Sequence, residues 1–223
     1  MAIKLSINKI VSHLKSAAII AVTGLVFILG YIFYLAQDLP SLDQLENYDP
    51  DLVTRIYSAD GEILDELYLE KRIFIGLDQI PNNMKNAVIA SEDRRFYSHW
   101  GIDSRSILRA IAINIINLGY AQGFSSLTQQ VARTLYDTIG FKKTIIRKIK
   151  EIITAIQIER TYTKDEILEM YLNTVHFGHG TYGVEAATKR FYGKESKLLS
   201  VDESALLVGL LPSPACRRRQ QTN

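Results

Sequence analysis

The order of apolar and polar residues divides the chain into one long apolar segment and a second, mostly helical part. Residues 16–37, SAAIIAVTGLVFILGYIFYLAQ, contain no charged residue and are about long enough to cross a bilayer as one helix. Residues 54–69, TRIYSADGEILDELYL, alternate around Asp60-Gly61, which predicts a β-hairpin. From Pro81 almost to the end, apolar residues recur at helical spacing. The pattern predicts a mainly α domain with a small β-hairpin entry, behind one N-terminal transmembrane helix.

Polar residues at characteristic positions predict where the helices of the second part begin. Ser104 is placed to cap RSILRAIAINII, and Ser125 or Ser126 is placed to cap LTQQVARTLY. Capping boxes are predicted at Thr163–Glu166 and Ser200–Glu203, each just before an apolar helical run.

The segment TIIRKIKEIITAIQIER, residues 144–160, predicts a long amphipathic helix. Its isoleucines fall on one predicted face, at positions Ile145, Ile149, Ile152, Ile153 and Ile156. Steps of about 100° per residue put Arg147 and Glu151 together on the opposite face. The residues alone leave two interpretations open: an exposed ion pair worth a few tenths of a kcal/mol, or part of a binding site.

Charges on both sides of the apolar segment predict its orientation. Lysines precede it at positions 4, 9 and 15, and acidic residues follow it from Asp38 to Asp51. The lysine excess places the N-terminus in the cytoplasm and the rest outside it. The apolar run is too long for a cleaved signal peptide, and no small-x-small cleavage site ends it. We therefore expect a cytoplasmic tail over 1–15, a transmembrane signal anchor over 16–37 and a linker over 38–52.

Composition excludes several classes of protein. The 223 residues carry a formal net charge of +2, which argues against general binding of nucleic acid. Cys216 is the only cysteine, so neither an intrachain disulfide nor a thiolate metal cluster can form.

Three segments carry candidate chemistry. Adjacent carboxylates and a histidine lie in residues 92–101, EDRRFYSHWG. Hydroxyls, amides and a cation lie at a predicted helix start in residues 123–133, GFSSLTQQVAR. Clustered cations and a glutamate lie in residues 147–151, RKIKE. A helix N-terminus rich in donors favours anions. Together these groups suit a sugar that carries phosphate and do not suit an apolar ligand.

The same segments resemble the motifs of the peptidoglycan glycosyltransferases, glycosyltransferase family 51. EDRRFYSHWG is similar to E-D-x-x-F-x-x-H-x-G, GFSSLTQQVAR to G-x-S-T-x-T-Q-Q-x-x-K/R, and RKIKE to R-K-x-x-E. EILEMYLNTVHFGHGTYGVEAATKRFYGK and DESALLVGLLPSP follow in the family's order. The resemblance implies a lysozyme-like glycosyltransferase domain over 53–215, and its hairpin resembles the entry of a class A penicillin-binding protein. The tail over 216–223 is not similar, which suggests a chain cut short.

The resemblance also implies an activity and a role for each site residue. The family polymerises lipid II into β-1,4 glycan strands with inversion and releases undecaprenyl pyrophosphate. Glu92 would be the general base and Glu151 the second essential carboxylate, with a possible Mg²⁺ or Mn²⁺ beside it. Residues expected to face the pyrophosphate are Ser125, Gln129, Gln130, Arg133, Arg147 and Lys148. Supporting residues are Asp93, Phe96 and His99.

Partners and location follow from the same resemblance. We expect lipid II, the growing glycan strand, the bacterial inner membrane and other cell-wall synthases as partners, and no nucleic acid. The catalytic domain would lie on the periplasmic side. Two other interpretations stay open: a lysozyme-like enzyme that cleaves peptidoglycan, which has no use for the cation cluster, and a non-catalytic, truncated membrane partner of cell-wall synthases.

Overall fold

The computed structural model describes residues 2–37, 39, 54–58, 60, 63–67, 71–119, 123–135, 144–178 and 180–211. It divides into two compact units, Met1–Leu39 and Pro40–Asn223. Most of the predicted linker over 38–52 and all of the predicted tail over 216–223 lie outside the described residues.

The first unit is one helix, α1, which runs over Ala2–Gln37. From Ser12 to Gln37 it is long and apolar enough to cross a membrane. Most of its large apolar side chains from Leu14 to Tyr34 are exposed. The helix predicted over 16–37 is present and begins earlier in the chain.

Two small sheets belong to the second unit. Strands β1 (Thr54–Tyr57) and β2 (Ile63–Leu67) are antiparallel, with Thr54 opposite Leu67, which confirms the predicted hairpin. A second sheet has the order β3 (Lys71–Arg72), β5 (Thr181–Tyr182), β4 (His176–Gly178), and its β3–β5 pair is parallel. The sequence did not predict this sheet because its strands are two or three residues long, too short for an alternating pattern.

Helices make up most of the described residues of the second unit. They are α2 (Asn82–Glu92), α3 (Ser104–Ile116), α4 (Leu127–Leu135), α5 (Ile145–Thr161), α6 (Lys164–Thr174), α7 (Val184–Tyr192) and α8 (Val201–Leu210). Both predicted capping boxes, Thr163–Glu166 and Ser200–Glu203, are confirmed. The prediction that Ser104 caps α3 is wrong, because Asp103 accepts the Arg105 backbone N–H and is the capping residue.

The core lies where α4 packs on α5 and α6, and where α2 packs on α8. Its fully buried side chains include Met84, Phe96, Leu127, Ile158, Leu168 and Leu207. The isoleucines that were predicted to share one face of α5 are not its buried residues. Ile145 is 82% exposed, and the buried face carries Lys150, Glu151, Thr154, Ala155 and Ile158. Helical periodicity counts apolar residues and therefore misses a polar face that is buried by ion pairing.

Gly183 lies between β5 and α7 in a conformation that only glycine adopts without strain. Its φ is +81°, and a Cβ atom there would lie 2.6 Å from the Asn173 backbone oxygen. Gly183→Ala is therefore expected to lower the free energy of unfolding by about 1–3 kcal/mol, measured by denaturant titration in detergent. Gly209→Ala is the matched control, since Gly209 has nothing within 4 Å and lies inside α8, where alanine is the better helix former. An equal effect of both changes would contradict the steric argument.

Candidate active site

The adjacent carboxylates at the end of α2 face different surroundings. Glu92 is half-buried, and its Oε2 accepts a hydrogen bond from Gln130 Nε2 at 3.0 Å. Asp93 is only 7% exposed, and its Oδ2 accepts from the Leu127 backbone N–H at 3.0 Å and contacts His99 Nε2 at 2.9 Å. Both residues are therefore attached to α4, Asp93 at its first residue and Glu92 one turn later.

Asp93, Phe96 and His99 form an interior support for this loop. His99 is buried, and its ring meets the fully buried Phe96 ring edge-on, with centroids 6.4 Å apart. Trp100, next along the chain, is 76% exposed and belongs to the surface. This placement suits the predicted supporting role, which remains a prediction.

The loop is also joined to the start of α4 and to α5. Ser126 donates its hydroxyl to the Gly101 carbonyl and accepts the Gln129 backbone N–H at 3.2 Å, so Ser126 is the serine that caps α4. Gly101 has φ +74°, and a Cβ there would lie 2.9 Å from the Ala155 carbonyl oxygen. Close backbone approach therefore holds the loop against α5.

Glu151 lies at the centre of a cation cluster. Its side chain is fully buried, at 0% exposed. Its carboxylate lies 3.1 Å from Arg147 Nε, 3.1 Å from Lys148 Nζ and 3.7 Å from Arg133 Nη1. The interpretation as an exposed ion pair is wrong, because the carboxylate has left water and three cations replace its hydration.

Lys148 connects this cluster to the start of α4. Its ammonium group donates to Ser125 Oγ at 2.8 Å and to Gln129 Oε1 at 2.7 Å, and it lies 5.1 Å from the centre of the Phe124 ring. Burial lowers the pKa of Lys148, Glu151 opposes that shift, and the Arg133 and Arg147 charges add to it. The charged form of Lys148 is therefore destabilised by desolvation and by the two arginines, and an added anion would stabilise it.

Helix α4 brings the two halves of the site together. Gln130 binds Glu92, and Arg133, one turn further on, faces Glu151. The predicted site residues lie on or beside α4, at the end of α2 or in the loop after it, or on the first half of α5. Three cations around one carboxylate leave a positive surplus, which suits a phosphate-bearing ligand.

One buried residue near these groups was given no role by the sequence. Tyr171 on α6 is 2% exposed, and Glu92 and Arg133 both influence its hydroxyl group. The residue stands within a recognised motif segment, but nothing in its type or spacing marks it as functional.

A divalent metal centre would need several oxygen or nitrogen ligands directed at one point. Within the described residues, no group of three His, Cys, Asp or Glu side chains is arranged to hold one. Glu151 is surrounded by cations, which repel a metal ion. These residues do not fit a resident metal centre, and the expected dependence on Mg²⁺ or Mn²⁺ remains a prediction.

The chain is similar to a known family and to individual proteins in several bacteria. Residues 60–223 match the model of the transglycosylase family. The chain is 40% identical over 207 residues to penicillin-binding protein 1A of Rickettsia bellii, covering 91% of this chain and 26% of that protein. It is 39% identical over 202 residues to penicillin-binding protein 1A of Aquifex aeolicus, covering 88% and 28%. The chain therefore spans about a quarter of the length of these relatives.

Proposed function

The chain belongs to the transglycosylase family, and from that membership we propose that it is a peptidoglycan glycosyltransferase that polymerises lipid II into β-1,4 glycan strands. The observation that carries this proposal is the fully buried Glu151 with Arg133, Arg147 and Lys148 around it, one helix away from the half-buried Glu92. A base and a cation cluster joined through one helix, α4, match the two needs of glycosyl transfer from a pyrophosphate.

Glu92 is the general base of the proposed reaction. Its carboxylate takes the proton of the acceptor sugar's 4-hydroxyl while that oxygen bonds to the anomeric carbon of the donor. The bond from this carbon to the pyrophosphate oxygen breaks, and its electron pair leaves with undecaprenyl pyrophosphate. Attack from the face opposite the leaving group inverts the anomeric carbon and gives the β-1,4 link, as in an inverting glycosidase with a sugar hydroxyl in place of water.

The cation cluster serves the leaving group. Pyrophosphate departs as a stable anion, so it needs positive charge more than it needs a proton. Arg133, Arg147 and Lys148 supply that charge, and Glu151 holds the three cations at fixed distances. Ser125 and Gln129 hold the Lys148 ammonium group from the α4 side. No lysozyme-like cleavage of finished peptidoglycan requires this cluster.

The deciding experiment gives the purified chain two substrates in detergent. We expect polymer from lipid II, seen as glycan strands on a gel, and no release of fragments from finished peptidoglycan. Fragments without polymer would favour the lysozyme-like alternative. Neither product, from a folded chain, would favour the non-catalytic membrane partner.

The membrane location is also a proposal. Helix α1 is long and apolar enough to span the inner membrane, with the N-terminus in the cytoplasm and the second unit in the periplasm. In the second unit, α3 and the turn after it expose large apolar side chains: Leu108, Ile111, Ile115, Ile116 and Leu118. Because lipid II is itself a membrane lipid, we propose that this apolar surface of α3 lies in the outer face of the bilayer.

Charges on the α3 surface should weaken membrane binding without help from α1. In a chain that lacks residues 1–37, Ile115→Asp with Ile116→Asp is expected to reduce co-sedimentation with liposomes at least tenfold, since each side chain stabilises insertion by roughly 1–2 kcal/mol. Leu198→Asp is the matched control, because Leu198 is 60% exposed but lies in a turn after α7. Unchanged binding of the double variant would contradict this surface.

A further inference from the structure

Tyr171 is a buried tyrosine whose hydroxyl group has no hydrogen-bond partner in the part of the chain that the structure describes. The side chain belongs to the central core, with Leu168 and Leu172 beside it in the chain and 2% of its surface exposed. Its hydroxyl oxygen is buried and makes no hydrogen bond to any of the described residues. A phenylalanine would fill the same space without this cost, so the hydroxyl group needs an explanation beyond packing.

The charged groups that influence this hydroxyl belong to the proposed site. They are Glu92 at the end of α2 and Arg133 on α4, and α4 packs directly on α6, the helix of Tyr171. Burial raises the pKa of Tyr171 well above its usual range, the Glu92 charge raises it further, and Arg133 opposes both. The phenol therefore keeps its proton more firmly than an ordinary tyrosine does, and it can act as a donor.

Glu92 has room for such a donor. One of its oxygens, Oε2, accepts from Gln130, and a carboxylate offers about four acceptor positions in all. A single hydrogen bond leaves the carboxylate free to rotate, whereas a general base needs a fixed direction toward the proton it removes. Hydrogen bonds of catalytic groups are often long before substrate binds and shorten in the complex.

We propose that Tyr171 is a positioning residue for Glu92: its hydroxyl group donates to the Glu92 carboxylate in the substrate-bound enzyme, and with Gln130 it fixes the direction of the base. The inference rests on the proposed function and extends it to a residue on α6. Tyr171 does not touch the sugar and exchanges no proton with it. The remaining acceptor positions of Glu92 stay available for the acceptor's 4-hydroxyl.

The test is Tyr171→Phe in the full chain, assayed for polymerisation of lipid II. We expect kcat to fall about tenfold with KM unchanged, because the interaction matters in the transition state. The acid side of the pH–rate profile should move to higher pH, since a donor that favours the ionised carboxylate is gone. The melting temperature should stay equal or rise. Tyr192→Phe is the matched control: among the described residues its hydroxyl group donates to the Glu203 carbonyl, far from Glu92 in the chain, and its loss should change none of these values.

Failure of the inference can be told apart from failure of the proposed function. If the parent polymerises lipid II and Tyr171→Phe matches it in rate and pH profile, the positioning role is wrong. A second measurement needs no turnover: with lipid II added, the ¹⁹F NMR resonance of 3-fluorotyrosine at position 171 should shift when Glu92→Gln is introduced. If the parent is inactive, the proposed function is wrong, and this resonance alone decides the inference. An unchanged ¹⁹F chemical shift in the Glu92→Gln chain would overturn the positioning role of Tyr171.

Discussion

Glu92→Gln should lower polymerisation of lipid II by about 10²- to 10⁴-fold, the usual effect of losing a general base. Glutamine keeps the size of the side chain, and its carbonyl oxygen can still accept from Gln130. Binding of lipid II should therefore change little, so the loss appears in kcat and not in KM. Single-turnover kinetics together with a lipid II binding titration measures the two effects separately.

The control for this change is Glu195→Gln. Glu195 is an exposed carboxylate paired with Lys197, and its loss should leave the rate unchanged. A Glu92→Gln chain that polymerises at the parent rate would remove Glu92 from its assigned role, even if the rest of the site stands.

Glu151→Gln should damage both turnover and stability. It leaves Arg133, Arg147 and Lys148 close together without the carboxylate that they share. Breaking a buried ion pair typically costs about 3–5 kcal/mol, and the displaced cations should reduce kcat by at least tenfold. Denaturant unfolding and the lipid II assay, both corrected to the folded fraction, measure the two effects.

The stability of the Glu151→Gln chain should depend on pH in a definite direction. Burial already lowers the pKa of Lys148, and Glu151 is the group that opposes this shift. Without Glu151 the pKa of Lys148 falls further below its unfolded value. The unfolded chain then binds more protons in the window between the two pKa values, so stability rises with pH there. The deficit relative to the parent should shrink as the solution becomes alkaline.

Inorganic pyrophosphate offers a direct probe of the same cluster. It should raise the melting temperature of Glu151→Gln more than that of the parent, because the anion replaces the missing negative charge. Glu185→Gln is the matched control, since Glu185 is also buried and paired with a lysine, Lys189, but lies on α7. It should lose stability, keep its turnover and respond to pyrophosphate as the parent does. A Glu151→Gln chain that behaves like this control would assign Glu151 to stability alone.

Local signals in the sequence predicted the elements that depend on neighbouring residues. The hairpin at Asp60-Gly61 and both capping boxes rest on short-range geometry and were confirmed. Capping of α3 was wrong by one residue because Asp103 competes successfully with Ser104 for the same N–H groups. The sheet of β3, β4 and β5 depends on pairing over more than 100 residues, which no local pattern contains.

In the site, too, the features that depend on contacts between distant segments were not predicted from the residues alone. The resemblance to the family named its residues, and the match to the transglycosylase family confirms that resemblance. Their spacing alone could not decide between an exposed Arg147–Glu151 pair and a binding site, because a helical wheel does not show Arg133, which reaches Glu151 from α4. Tyr171 was missed for a similar reason: its relation to Glu92 exists only once α2, α4 and α6 are packed together.

The opposite surroundings of Glu92 and Asp93 constrain how this sequence can evolve. One peptide bond separates a carboxylate that binds a side chain from one that binds the first backbone N–H of α4. Exchanging the two residues would put the shorter acid at the base position and force the longer one into a closed interior. A one-residue insertion or deletion here would rotate both acids out of place together. Substitutions should therefore be tolerated at Arg94, which follows the two acids and is exposed. Mutations that change the order of Glu92 and Asp93, or the number of residues here, should not be tolerated.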